Sequence, residues 1–553
     1  MNSSKNNILI IGGVAGGATA AARIRRLDET AEITVLEKGP YVSFANCGLP
    51  YFISRDIQRR SSLLLQTPEG FFSRYRVNVR VNTEAVAIDR EKHLVHVKTP
   101  KGEESLSYDK LILAQGGSPI VPTLPGIANE HVFKLWTIPD MDRIHKFIEE
   151  KKPAKAVVAG GGFIGLEMAE ALHARGIHVT VVELAPQVMI QMDPEFGAMV
   201  KAGLEEKGVA VRTGVGLASV ESNSITLSDG SSLDADLVLL SIGVRPELTL
   251  AKSAGLEIGA SGGLVVDEMM RTSDADIYAA GDMTEVVNRI HGKKVRIPLA
   301  GPANRQGRIA GTNVLGGSMR YRGAIGTAVV KLFNKTAAAT GLSEKSARDA
   351  GFNVGVAYLF KDNHASYFPG GKPLSLKLVY EMKTGKLLGG QAYGESGVEK
   401  RIDVLATALH GKMTLEDLSE LDLAYAPPFN TANDPVNMAS FVGLNNISGY
   451  SPLRTPSEVR TEQQGNNGLI LDVRTMGEQG KAPLADVLHI PADEVRDRLD
   501  EIPKDRTIYL LSKDGFLGHT VLQILKAAGV HSVYNIAGGY SAARWFPGWN
   551  FQV

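Results

Sequence analysis

Cysteine is nearly absent from this chain, since Cys47 is the single one among 553 residues. A lone cysteine excludes an intrachain disulfide framework, and such scarcity is typical of proteins that fold in a reducing compartment. We therefore expect a cytoplasmic protein. Redox chemistry at sulfur would have to use one thiol, because no second thiol is present to close a disulfide within the chain.

Charge of one sign and long apolar runs are also missing. The 60 Lys and Arg residues balance the 60 Asp and Glu residues, which gives no general attraction to nucleic acid or to an anionic membrane. No stretch of about 18 apolar residues predicts a membrane span. We expect neither nucleic acid nor a membrane as a partner, and we assign no metal site.

Glycine, by contrast, is plentiful, and two glycine-rich segments follow the same order of predicted elements. In the first, the strand, glycine turn, helix and second strand are Asn7–Ile11, Gly12–Gly17, Ala18–Leu27 and Glu32–Glu37. In the second, the same elements are Ala156–Ala159, Gly160–Gly165, Leu166–Arg175 and His178–Glu183. This order opens a doubly wound nucleotide-binding domain. The two segments therefore predict an α/β chain with two Rossmann-like domains and two dinucleotide sites.

The second segment carries the complete G-x-G-x-x-G pattern in Gly160, Gly162 and Gly165. The first glycine allows the tight turn, the second leaves room for a pyrophosphate, and the third lets the helix pack on the strand. Glu183 follows about twenty residues later, where a carboxylate binds a ribose 2′-hydroxyl. The next residues, Leu184–Gln187, include no Arg or Lys for a 2′-phosphate, so we predict NADH rather than NADPH.

The first segment has Gly12 and Gly17 but Val14 in the middle position, with Glu37 as its ribose carboxylate. Its assignment depends on a later apolar strand that ends in Gly-Asp and places Asp282 where a carboxylate binds the ribityl chain of FAD. This strand resembles the second FAD motif of flavoprotein reductases with two dinucleotide-binding domains. We therefore predict FAD at the first segment and NADH at the second.

Cys47 lies in the segment YVSFANCGLPYF, shortly after Glu37. A helix predicted from Gly48 onward would lower the pKa of the thiol through its dipole. A buried structural cysteine is the alternative, but the position beside the predicted FAD site favours a catalytic thiol. Without a second cysteine, Cys47 would cycle through a mixed disulfide with substrate or through a sulfenic acid.

Several separated motifs together resemble coenzyme A disulfide reductases and NADH-dependent persulfide reductases. They are IIGGVAGGATAAARIRRL, SFANCGLPY, GGGFIGLEMAE, PLAGPANRQGR, HASYFPG and YAPPFNTANDPVN. The resemblance covers Asn7 to about Phe441, and the tail is similar to the rhodanese-like domain fused to one branch of that family. It implies an FAD-binding domain (1–118 and 250–322), an NADH-binding domain (119–249), an α+β dimerisation domain (323–442), a linker (443–458) and a C-terminal rhodanese-like α/β domain (459–553).

The resemblance also implies a homodimer in which the dimerisation domain of one subunit completes the active site of the other. Tyr367, in HASY, and Tyr425, in YAPP, would then reach the partner's Cys47 as acids or hydrogen-bond donors to a leaving thiolate. Packing in the interface is their alternative role. Ser43 and Asn46 would orient the substrate sulfur or the pantetheine arm.

Coenzyme A is expected as substrate or bound ligand. Its phosphates would contact Thr19, Arg23 and Arg26 on the first helix, where the two arginines share a face because they are three residues apart. A solvated basic surface is the alternative for these residues. Ala300, in PLAG, would approach the flavin through its backbone.

Three positions differ from the family pattern. Ala15 stands where related NADH oxidases and peroxidases have a histidine that supports peroxide chemistry, which favours sulfur substrates here. Asn433 stands where a lysine is frequent, and Asn304 stands where some relatives have a histidine. Part of the contact with the substrate therefore differs in this chain.

The tail resembles a rhodanese through LDVR, a strand at Thr507–Leu511 and NIAGGY, and it follows a Gly-, Asn- and Ser-rich stretch (Gly443–Pro452) that predicts a linker. An active rhodanese carries a persulfide on a cysteine at the start of a loop of backbone N–H groups. Here Ser512 takes that position, and Leu517 stands where an arginine is usual. A serine hydroxyl cannot carry sulfane sulfur, so we predict a catalytically inert domain for docking, carrier binding or structural support.

These residues predict an FAD-dependent NADH oxidoreductase that reduces coenzyme A disulfide, coenzyme A persulfide or polysulfide through Cys47. Two alternatives stay open. One is an NADH oxidase or peroxidase that acts through a Cys47 sulfenic acid. The other is a sulfur-carrier or redox-sensing protein that uses the tail for binding.

Overall fold

The computed structural model describes residues 6–465 and 468–552. The chain separates into two compact units, and each is described by itself. One contains the chain up to Leu184 together with Gly208–Gly326, and the other contains Ala185–Lys207 together with the chain from Thr327 onward.

The strands of both units are short, and most belong to parallel or antiparallel sheets of three to five strands. In chain order they are β1 Asn7–Ile11, β2 Glu32–Leu36, β3 Asn78–Arg80, β4 Glu84–Asp89, β5 Leu94–Thr99, β6 Gly102–Ser107, β7 Lys110–Leu113, β8 Gly117–Pro119, β9 Val132–Lys134, β10 Lys155–Ala159, β11 His178–Glu183, β12 Ala210–Thr213, β13 Leu217–Val220, β14 Ser224–Leu227, β15 Ser232–Asp234, β16 Leu237–Leu240, β17 Val244–Pro246, β18 Leu264–Val265, β19 Ile277–Ala279, β20 Thr284–Val287, β21 Lys294–Val295, β22 Ala328–Leu332, β23 Lys335–Gly341, β24 Val354–Asp362, β25 Pro373–Glu381, β26 Leu387–Gly394, β27 Leu453–Arg454, β28 Leu469–Asp472, β29 Leu488–His489, β30 Ile508–Leu511 and β31 Val533–Ile536.

The helices are α1 Ala15–Leu27, α2 Leu49–Ile53, α3 Pro68–Tyr75, α4 Ile138–Lys151, α5 Phe163–Ala174, α6 Pro194–Glu205, α7 Thr249–Ser253, α8 Ala300–Asn313, α9 Glu344–Asp349, α10 Val398–Gly411, α11 Leu415–Ser419, α12 Pro435–Ile447, α13 Pro456–Gly465, α14 Met476–Lys481, α15 Phe516–Ala527 and α16 Gly539–Ala543. Short 3₁₀ helices lie at Asn46–Gly48, Arg60–Leu63 and Leu499–Glu501. Within residues 6–465 and 468–552, no helix is long and apolar enough to cross a membrane. In the same residues, no group of three or more His, Cys, Asp or Glu side chains is arranged to hold a metal ion.

The first parallel sheet of the first unit has the strand order β19-β7-β1-β2-β3. Its strand β1 pairs in parallel with β2 and β7, and its sequence NILII is buried from Ile8 to Ile11, as expected for a strand covered on both faces. The predicted bounds of β1 are confirmed. Helix α1 begins at Ala15 rather than at Ala18, because the second part of the predicted glycine turn is already helical.

The second parallel sheet has the order β12-β11-β10-β16-β9. Strand β11 has the predicted bounds, and the apolar strand β16, LVLL, is buried at every position. Helix α5 begins at Phe163 rather than at Leu166, for the same reason as α1. The fold prediction of two Rossmann-like domains is confirmed.

The chain enters and leaves the second sheet through a two-stranded ribbon. Strand β8 precedes the inserted domain and β17 ends it, and the two pair in antiparallel register with Ser118 opposite Arg245. Gly117 has no room for a side chain, because a Cβ there would lie 2.8 Å from the Arg245 carbonyl oxygen. Entry and exit of the domain are therefore hydrogen-bonded to each other.

An antiparallel sheet with the order β22-β23-β26-β25-β24 lies in the second unit. Strands β25 and β26 are buried along nearly their whole lengths. The register places Tyr358 of β24, Lys377 of β25 and Gln391 of β26 side by side. Because directly opposite residues share a face of the sheet, this row of polar side chains projects from one side.

The tail forms a parallel sheet with the order β27-β31-β30-β28-β29. The predicted strand Thr507–Leu511 is present as β30, which begins one residue later at Ile508, and it pairs in parallel with β28 and β31. Buried aliphatic side chains from these strands and from α15 make one core of the tail. The predicted small α/β tail domain is therefore present.

The stretch Gly443–Pro452 was predicted to be an irregular linker, and this is wrong for its first half. Helix α12 continues to Ile447. A Cβ on Gly443 would lie 2.5 Å from the Leu415 Cδ1 atom, so this glycine allows α12 to pack closely against α11. Composition alone does not distinguish a glycine that permits close packing from one that ends a helix.

Helices α1 and α8 pack closely at two glycines. A Cβ on Gly307 would lie 2.2 Å from the Gly16 carbonyl oxygen, and one on Gly311 would lie 2.8 Å from the Ala20 carbonyl oxygen. Since both distances are shorter than a normal carbon–oxygen contact, only glycine permits this approach. Helix α1 follows the first glycine turn and α8 begins at Ala300, so the packing brings two predicted parts of the FAD site into one framework.

Gly307→Ala should destabilise the first unit. Inserting a methyl group into a packed contact costs about 1–3 kcal/mol, and alanine regains about 1 kcal/mol over glycine in a helix. We expect a net loss of up to about 2 kcal/mol, seen as a lower melting temperature of the purified protein. Gly301→Ala on the same helix is the control, because its Cβ would have its nearest neighbour at 3.6 Å. Equal melting temperatures for the two variants would contradict the close-packing argument.

Candidate active site

The first glycine turn is shaped by two backbone contacts. Gly12 has a φ of +100°, and a Cβ there would lie 2.3 Å from the Ala114 carbonyl oxygen. A Cβ on Gly17, within α1, would lie 1.8 Å from the Gly12 carbonyl oxygen. Val14 precedes α1 as its N-terminal cap residue. The turn thus brings backbone N–H groups to a helix N-terminus, which favours a pyrophosphate.

The Glu37 carboxylate fixes this turn. Its Oε2 accepts a hydrogen bond from the Gly13 N–H at 3.0 Å, and its Oε1 accepts one from the Gly39 N–H at 2.8 Å. Gly13 was not predicted as a site residue, yet a Cβ there would lie 2.7 Å from the Val42 Cγ2 atom. A carboxylate held at this strand end suits a ribose hydroxyl.

The second glycine turn repeats this geometry. Gly160 has a φ of +116°, and its Cβ would lie 2.2 Å from the Ser241 carbonyl oxygen. A Cβ on Gly165 would lie 2.0 Å from the Gly160 carbonyl oxygen. The same two contacts therefore shape both turns, as expected for two dinucleotide sites.

Gly162 differs from the other glycines of the second turn, because no atom lies within 4 Å of the position that a Cβ would take. The protein itself leaves this space open, and the space suits a pyrophosphate. The Glu183 Oε2 accepts a hydrogen bond from the Gly161 N–H at 2.7 Å, as Glu37 does from Gly13. Leu184, the next residue, is 71% exposed and offers no positive charge for a 2′-phosphate.

The predicted FAD site contains buried polar groups that suit a ligand rich in hydroxyl groups. Asp282 follows β19, and burial raises the pKa of its carboxyl to about 6. Among the described residues, the buried Gln115 Oε1 beyond β7 has no hydrogen-bond partner. Strands β7 and β19 are parallel neighbours, so both groups lie at the same edge of the sheet. Asp282 and Gln115 therefore fit the ribityl chain of FAD. Ala300, the first residue of α8, is exposed.

Cys47 lies in the 3₁₀ helix Asn46–Gly48 and is exposed. The Asn46 Oδ1 accepts a hydrogen bond from the Cys47 N–H at 3.0 Å and lies 3.7 Å from the Cys47 Sγ. Asn46 therefore orients the thiol.

The prediction that a helix dipole lowers the pKa of Cys47 is wrong. Desolvation by surrounding atoms raises the pKa of the thiol, and the negative charges of Glu167 and Asp282 raise it further. Helix α2 has only five residues, so its dipole is too small to outweigh these effects. The thiol is therefore a weaker acid than an ordinary cysteine.

Glu167 and Tyr51 were not predicted as site residues. The Tyr51 hydroxyl, on α2, donates to the Glu167 Oε1, on α5, at 3.1 Å. Burial raises the pKa of Glu167, and the bond from Tyr51 opposes this rise. The motif GLEMAE, which puts an acid just inside the nucleotide helix, is a local signal for Glu167. Tyr51 has no such signal, because its partner is 116 positions away.

Ser43 has a φ of +47°, in the left-handed region that non-glycine residues rarely adopt. Its N–H donates to the Gly13 carbonyl at 2.8 Å, and its carbonyl accepts from the Leu65 N–H at 3.0 Å. A strained backbone conformation that hydrogen bonds on both sides of the residue hold in place is frequent at functional sites. Ser43 thus connects the first glycine turn to the segment that carries Cys47.

Thr19 and Arg23, on α1, contact helix α8. The Thr19 hydroxyl donates to the Asn304 Oδ1 at 2.9 Å, and the Arg23 Nε donates to the Thr312 hydroxyl at 3.0 Å. Asn304, one of the positions that differ from the family pattern, therefore orients a predicted substrate-binding residue.

A cluster of positive charge surrounds Arg23. Partial desolvation lowers the pKa of Arg23, and the positive charges of Arg308 and Arg26 lower it further. Arg308, on α8, was not predicted, because its place beside α1 depends on the tertiary packing. Guanidinium groups that repel one another favour a multiply charged anion such as a phosphate.

Tyr367 and Tyr425 lie together in the second unit. Their hydroxyl oxygens are 2.8 Å apart, and either one can donate. Tyr367 is 72% exposed and Tyr425 is 46% exposed, while the hydrogen bond to Tyr425 raises the pKa of Tyr367. The pair is therefore accessible on the single subunit to a ligand or to a second subunit.

The tail loop presents no exposed nucleophile at its first position. Ser512 is completely buried, and its hydroxyl accepts a hydrogen bond from the Gly515 N–H at 3.0 Å. A Cβ on Gly539 would lie 2.2 Å from the Ser512 carbonyl oxygen. Leu517 packs against the tail core, where it supplies no positive charge.

Three family descriptions match successive parts of the chain. Residues 6–307, more than half of the chain, match the family described as pyridine nucleotide-disulphide oxidoreductase. Residues 327–435 match the dimerisation domain of that family, and residues 455–544 match the rhodanese-like domain.

Two solved structures are similar to nearly the whole chain. Reduced CoADR-RHD from Bacillus anthracis is 41% identical, with a TM-score of 0.95 and coverage of 98% of each chain. An NAD-dependent persulfide reductase from A. fulgidus is 38% identical, with a TM-score of 0.91 and coverage of 98% of this chain and 100% of that chain. Both similarities therefore include the tail.

Two curated proteins are similar over about four fifths of the chain. A coenzyme A disulfide reductase from Staphylococcus aureus is 32% identical over 437 residues, which are 78% of this chain and 99% of that protein. An NADH oxidase from Methanocaldococcus jannaschii is 34% identical over 445 residues, which are 80% of this chain and 99% of that protein. The sequence identity of this chain to a protein named as a disulfide reductase is thus about the same as its identity to a protein named as an NADH oxidase.

Gly162→Ala should weaken NAD(P)H binding without loss of stability. Its Cβ would meet no protein atom but would enter the space for the pyrophosphate, so we expect the KM for NADH to rise by about tenfold or more, equivalent to about 1.4 kcal/mol, at an unchanged melting temperature. Gly165→Ala is the matched comparison and should lower the melting temperature, because its Cβ would lie 2.0 Å from a carbonyl oxygen. Melting temperatures lowered equally by both changes would refute the distinction.

Glu167→Gln should lower the pKa of Cys47. The negative charge of Glu167 raises the pKa of the thiol, so the neutral amide allows the thiolate to form at lower pH. The rate of Cys47 alkylation by iodoacetamide, measured against pH, should then have its midpoint at lower pH than in the unmodified enzyme. Glu84→Gln, at an exposed position of β4, should leave the midpoint unchanged. A midpoint that stays or moves upward in Glu167→Gln would argue against this electrostatic coupling.

Proposed function

The chain belongs to the pyridine nucleotide-disulphide oxidoreductase family, and we propose that it reduces sulfur–sulfur bonds of coenzyme A derivatives with electrons from NADH. One observation carries this proposal: an exposed thiol, Cys47, in a chain with no second cysteine. Reduction of a disulfide through a protein thiol needs a second sulfur. Here the substrate supplies it, as coenzyme A disulfide, coenzyme A persulfide or polysulfide.

FAD and NAD(P)H are the cofactors of this family. When bound, FAD relays two electrons from NAD(P)H to sulfur. The residues that would hold FAD are Gly12, Val14, Gly17, Glu37, Asp282 and Ala300. The residues that would hold the nicotinamide nucleotide are Gly160, Gly162, Gly165 and Glu183. Their support is the open space at Gly162, the unpartnered Gln115 Oε1 and the raised pKa of Asp282.

NADH is the proposed electron donor in preference to NADPH. The Glu183 carboxylate would repel a 2′-phosphate, and the exposed Leu184 cannot neutralise it. A ribose 2′-hydroxyl, in contrast, can donate to a carboxylate at this position.

Cys47 is the proposed nucleophile. Its thiolate attacks one sulfur of coenzyme A disulfide, which forms a bond to the Cys47 Sγ and releases the other coenzyme A as a thiolate that takes up a proton. Two electrons and one proton then cleave the mixed disulfide, return the Cys47 thiolate and release the second coenzyme A as a thiol. Asn46, which contacts the Cys47 N–H and Sγ, would orient the sulfur, and Ser43 would position the same segment.

Tyr367 and Tyr425 are the proposed proton or hydrogen-bond donors to the leaving thiolate. They would act in a homodimer, where they reach the partner subunit's Cys47. Their support is the 2.8 Å hydroxyl–hydroxyl distance, their exposure on one subunit and the match to a dimerisation domain. A hydroxyl–hydroxyl bond lets one tyrosine stabilise the other as it donates.

Thr19, Arg23 and Arg26 are the proposed contacts of the coenzyme A phosphates, and Arg308 extends this group. The mutual repulsion that lowers the pKa of Arg23 would be relieved by a bound phosphate. The charge cluster therefore favours a phosphorylated sulfur compound over inorganic polysulfide alone.

The remaining assignments follow from the sequence. We propose the domain boundaries given above, with Gly443–Ile447 now belonging to α12 and with α13, from Pro456 onward, now belonging to the tail. The tail is proposed to be catalytically inert because Ser512 is buried and Leu517 replaces a cation. A reducing cytoplasm is the proposed location, since the single thiol must stay reduced between turnovers.

An NADH oxidase acting through a Cys47 sulfenic acid is the second candidate. The similarity to the NADH oxidase from M. jannaschii favours it. Ala15 disfavours it, because the first turn has no histidine to assist peroxide chemistry. The sulfur route therefore has more support from the residues of this chain.

Cys47→Ser should abolish reduction of the sulfur substrates. We expect the rate of NADH oxidation with coenzyme A disulfide, coenzyme A persulfide or polysulfide to fall by about a thousandfold or more, because the covalent nucleophile is lost. Ser73→Ala, at an exposed position of α3, is the control and should keep full activity. NADPH in place of NADH should give a higher KM.

Two results would contradict the proposed function. Sulfur reduction at the normal rate in Cys47→Ser would remove Cys47 from the mechanism. Oxygen or peroxide consumption by the unmodified enzyme at the rate of its best sulfur substrate would favour the oxidase instead.

A further inference from the structure

The tail contacts the dimerisation domain through a turn close to its inert loop. Gly538 lies between β31 and α16 with a φ of +71°. A Cβ on Gly538 would lie 2.9 Å from the Phe360 Cε2 and 3.0 Å from the Tyr358 Cβ. Phe360 and Tyr358 are two residues apart on β24 and so share a face, and their rings stack with centroids 6.2 Å apart. The turn therefore packs on the Phe360 ring and on the Tyr358 Cβ, and a Cβ on Gly538 would also lie 2.7 Å from the Ala542 Cβ on α16.

Tyr358 connects this contact to the start of α6. Its hydroxyl donates to the Glu195 Oε1 at 2.6 Å, and the Lys377 Nζ donates to the same oxygen at 2.6 Å. Lys377 also lies 2.8 Å from Asp193, the N-terminal cap residue of α6, and Gln391 donates to Asp193 at 2.6 Å. The polar row across β24, β25 and β26 thus binds the first turn of α6.

A second route leads from the tail to the same lysine. Glu458, on α13, lies 3.9 Å from Arg348. Arg348 pairs with Glu344 at 2.8 Å, and Glu344 pairs with Lys377 at 2.9 Å. Two separate places of the tail therefore connect to Lys377.

The point where the routes meet is a buried charge cluster. Lys377 has no exposed surface, and Asp193 and Glu195 are nearly as buried. Burial alone would lower the pKa of Lys377, but the attraction of Glu195, Tyr358, Asp193 and Glu344 raises it well above its ordinary value. A buried charge that loses a partner is strongly destabilising, so this cluster tolerates little displacement of its members.

We infer that the tail is a brace for the start of α6: the Gly538 turn fixes Tyr358 and Phe360, and Glu458 fixes Arg348, so that Tyr358 and Lys377 bind Glu195. The segment Ala185–Lys207 follows Glu183 in the sequence, so the brace acts on the chain next to the proposed ribose carboxylate. This role needs no sulfur carrier in the tail, and it is therefore compatible with Ser512.

Hydrogen–deuterium exchange of the full-length, flavin-bound enzyme tests the brace. Gly538→Ala should push Phe360 and Tyr358 away, and the exchange of peptides covering Pro194–Glu205 should become about tenfold faster or more. Peptides covering Val398–Gly411, which pack on β23 and β26, should exchange as before, which separates loss of the brace from general destabilisation. Gly477→Ala, where no atom lies within 4 Å of the Cβ position, is the control and should change neither.

A second pair of variants keeps the test decisive if Gly538→Ala does not fold. Glu458→Gln changes an exposed side chain, and we expect it to speed exchange of Pro194–Glu205 about twofold, since exposed ion pairs are weak. Glu494→Gln, which pairs with Arg498 within the tail, should have no effect. Unchanged exchange of α6 in Glu458→Gln and in any folded Gly538→Ala would overturn the inference.

A double variant separates the ring contact from backbone strain, because alanine at a φ of +71° is strained in any surroundings. If the ring contact transmits the effect, Gly538→Ala should speed exchange less in a Phe360→Ala background than in the unmodified enzyme. An equal effect in both backgrounds would attribute the change to strain and overturn the inference.

Discussion

Both nucleotide sites depend on one short-range contact. In each glycine turn, the carbonyl oxygen of the first glycine occupies the space where a Cβ of the glycine five residues later would lie, at 1.8 Å for Gly17 and 2.0 Å for Gly165. In each turn, this contact brings the following helix against the preceding strand. The helix N-terminus then lies at the carboxyl end of that strand. Glu37 and Glu183 accept from N–H groups inside the two turns, so the turn and the acid that follows the next strand form one unit. A larger residue at either contact would separate the helix from the sheet and remove the anion site.

Features with a local cause were predictable from the sequence. Strands β1 and β11 have their predicted bounds because apolar runs next to glycine turns leave few alternatives. Helices α1 and α5 begin earlier than predicted, since a glycine can serve close packing inside a helix as well as a turn. The same ambiguity made the linker prediction wrong at Gly443. Tyr51, Gln115 and Arg308 were missed because their places depend on contacts between distant parts of the chain, which no local pattern encodes.

The electrostatics of the thiol show why a motif does not determine reactivity. Cys47 precedes a helix, and the motif predicted an acidic thiol for that reason. Desolvation together with Glu167 and Asp282 has the opposite effect and raises its pKa. Desolvation, together with the charges of Glu167 on α5 and of Asp282 beyond β19, thus outweighs the dipole of a short helix. The raised pKa favours the protonated thiol, which reacts more slowly than a thiolate with oxidants and alkylating agents.

The ribbon of β8 and β17 has a consequence for how such a chain can diversify. The two strands that enter and leave the inserted nucleotide-binding domain pair with each other. The whole domain is therefore connected to the rest of the chain at one place, this two-stranded ribbon. Recombination within β8 and within β17, which are adjacent in space though far apart in the gene, would exchange the inserted nucleotide-binding domain. The domain that contains Cys47 and the proposed FAD site would stay unchanged. A change of electron donor could therefore arise in one genetic event.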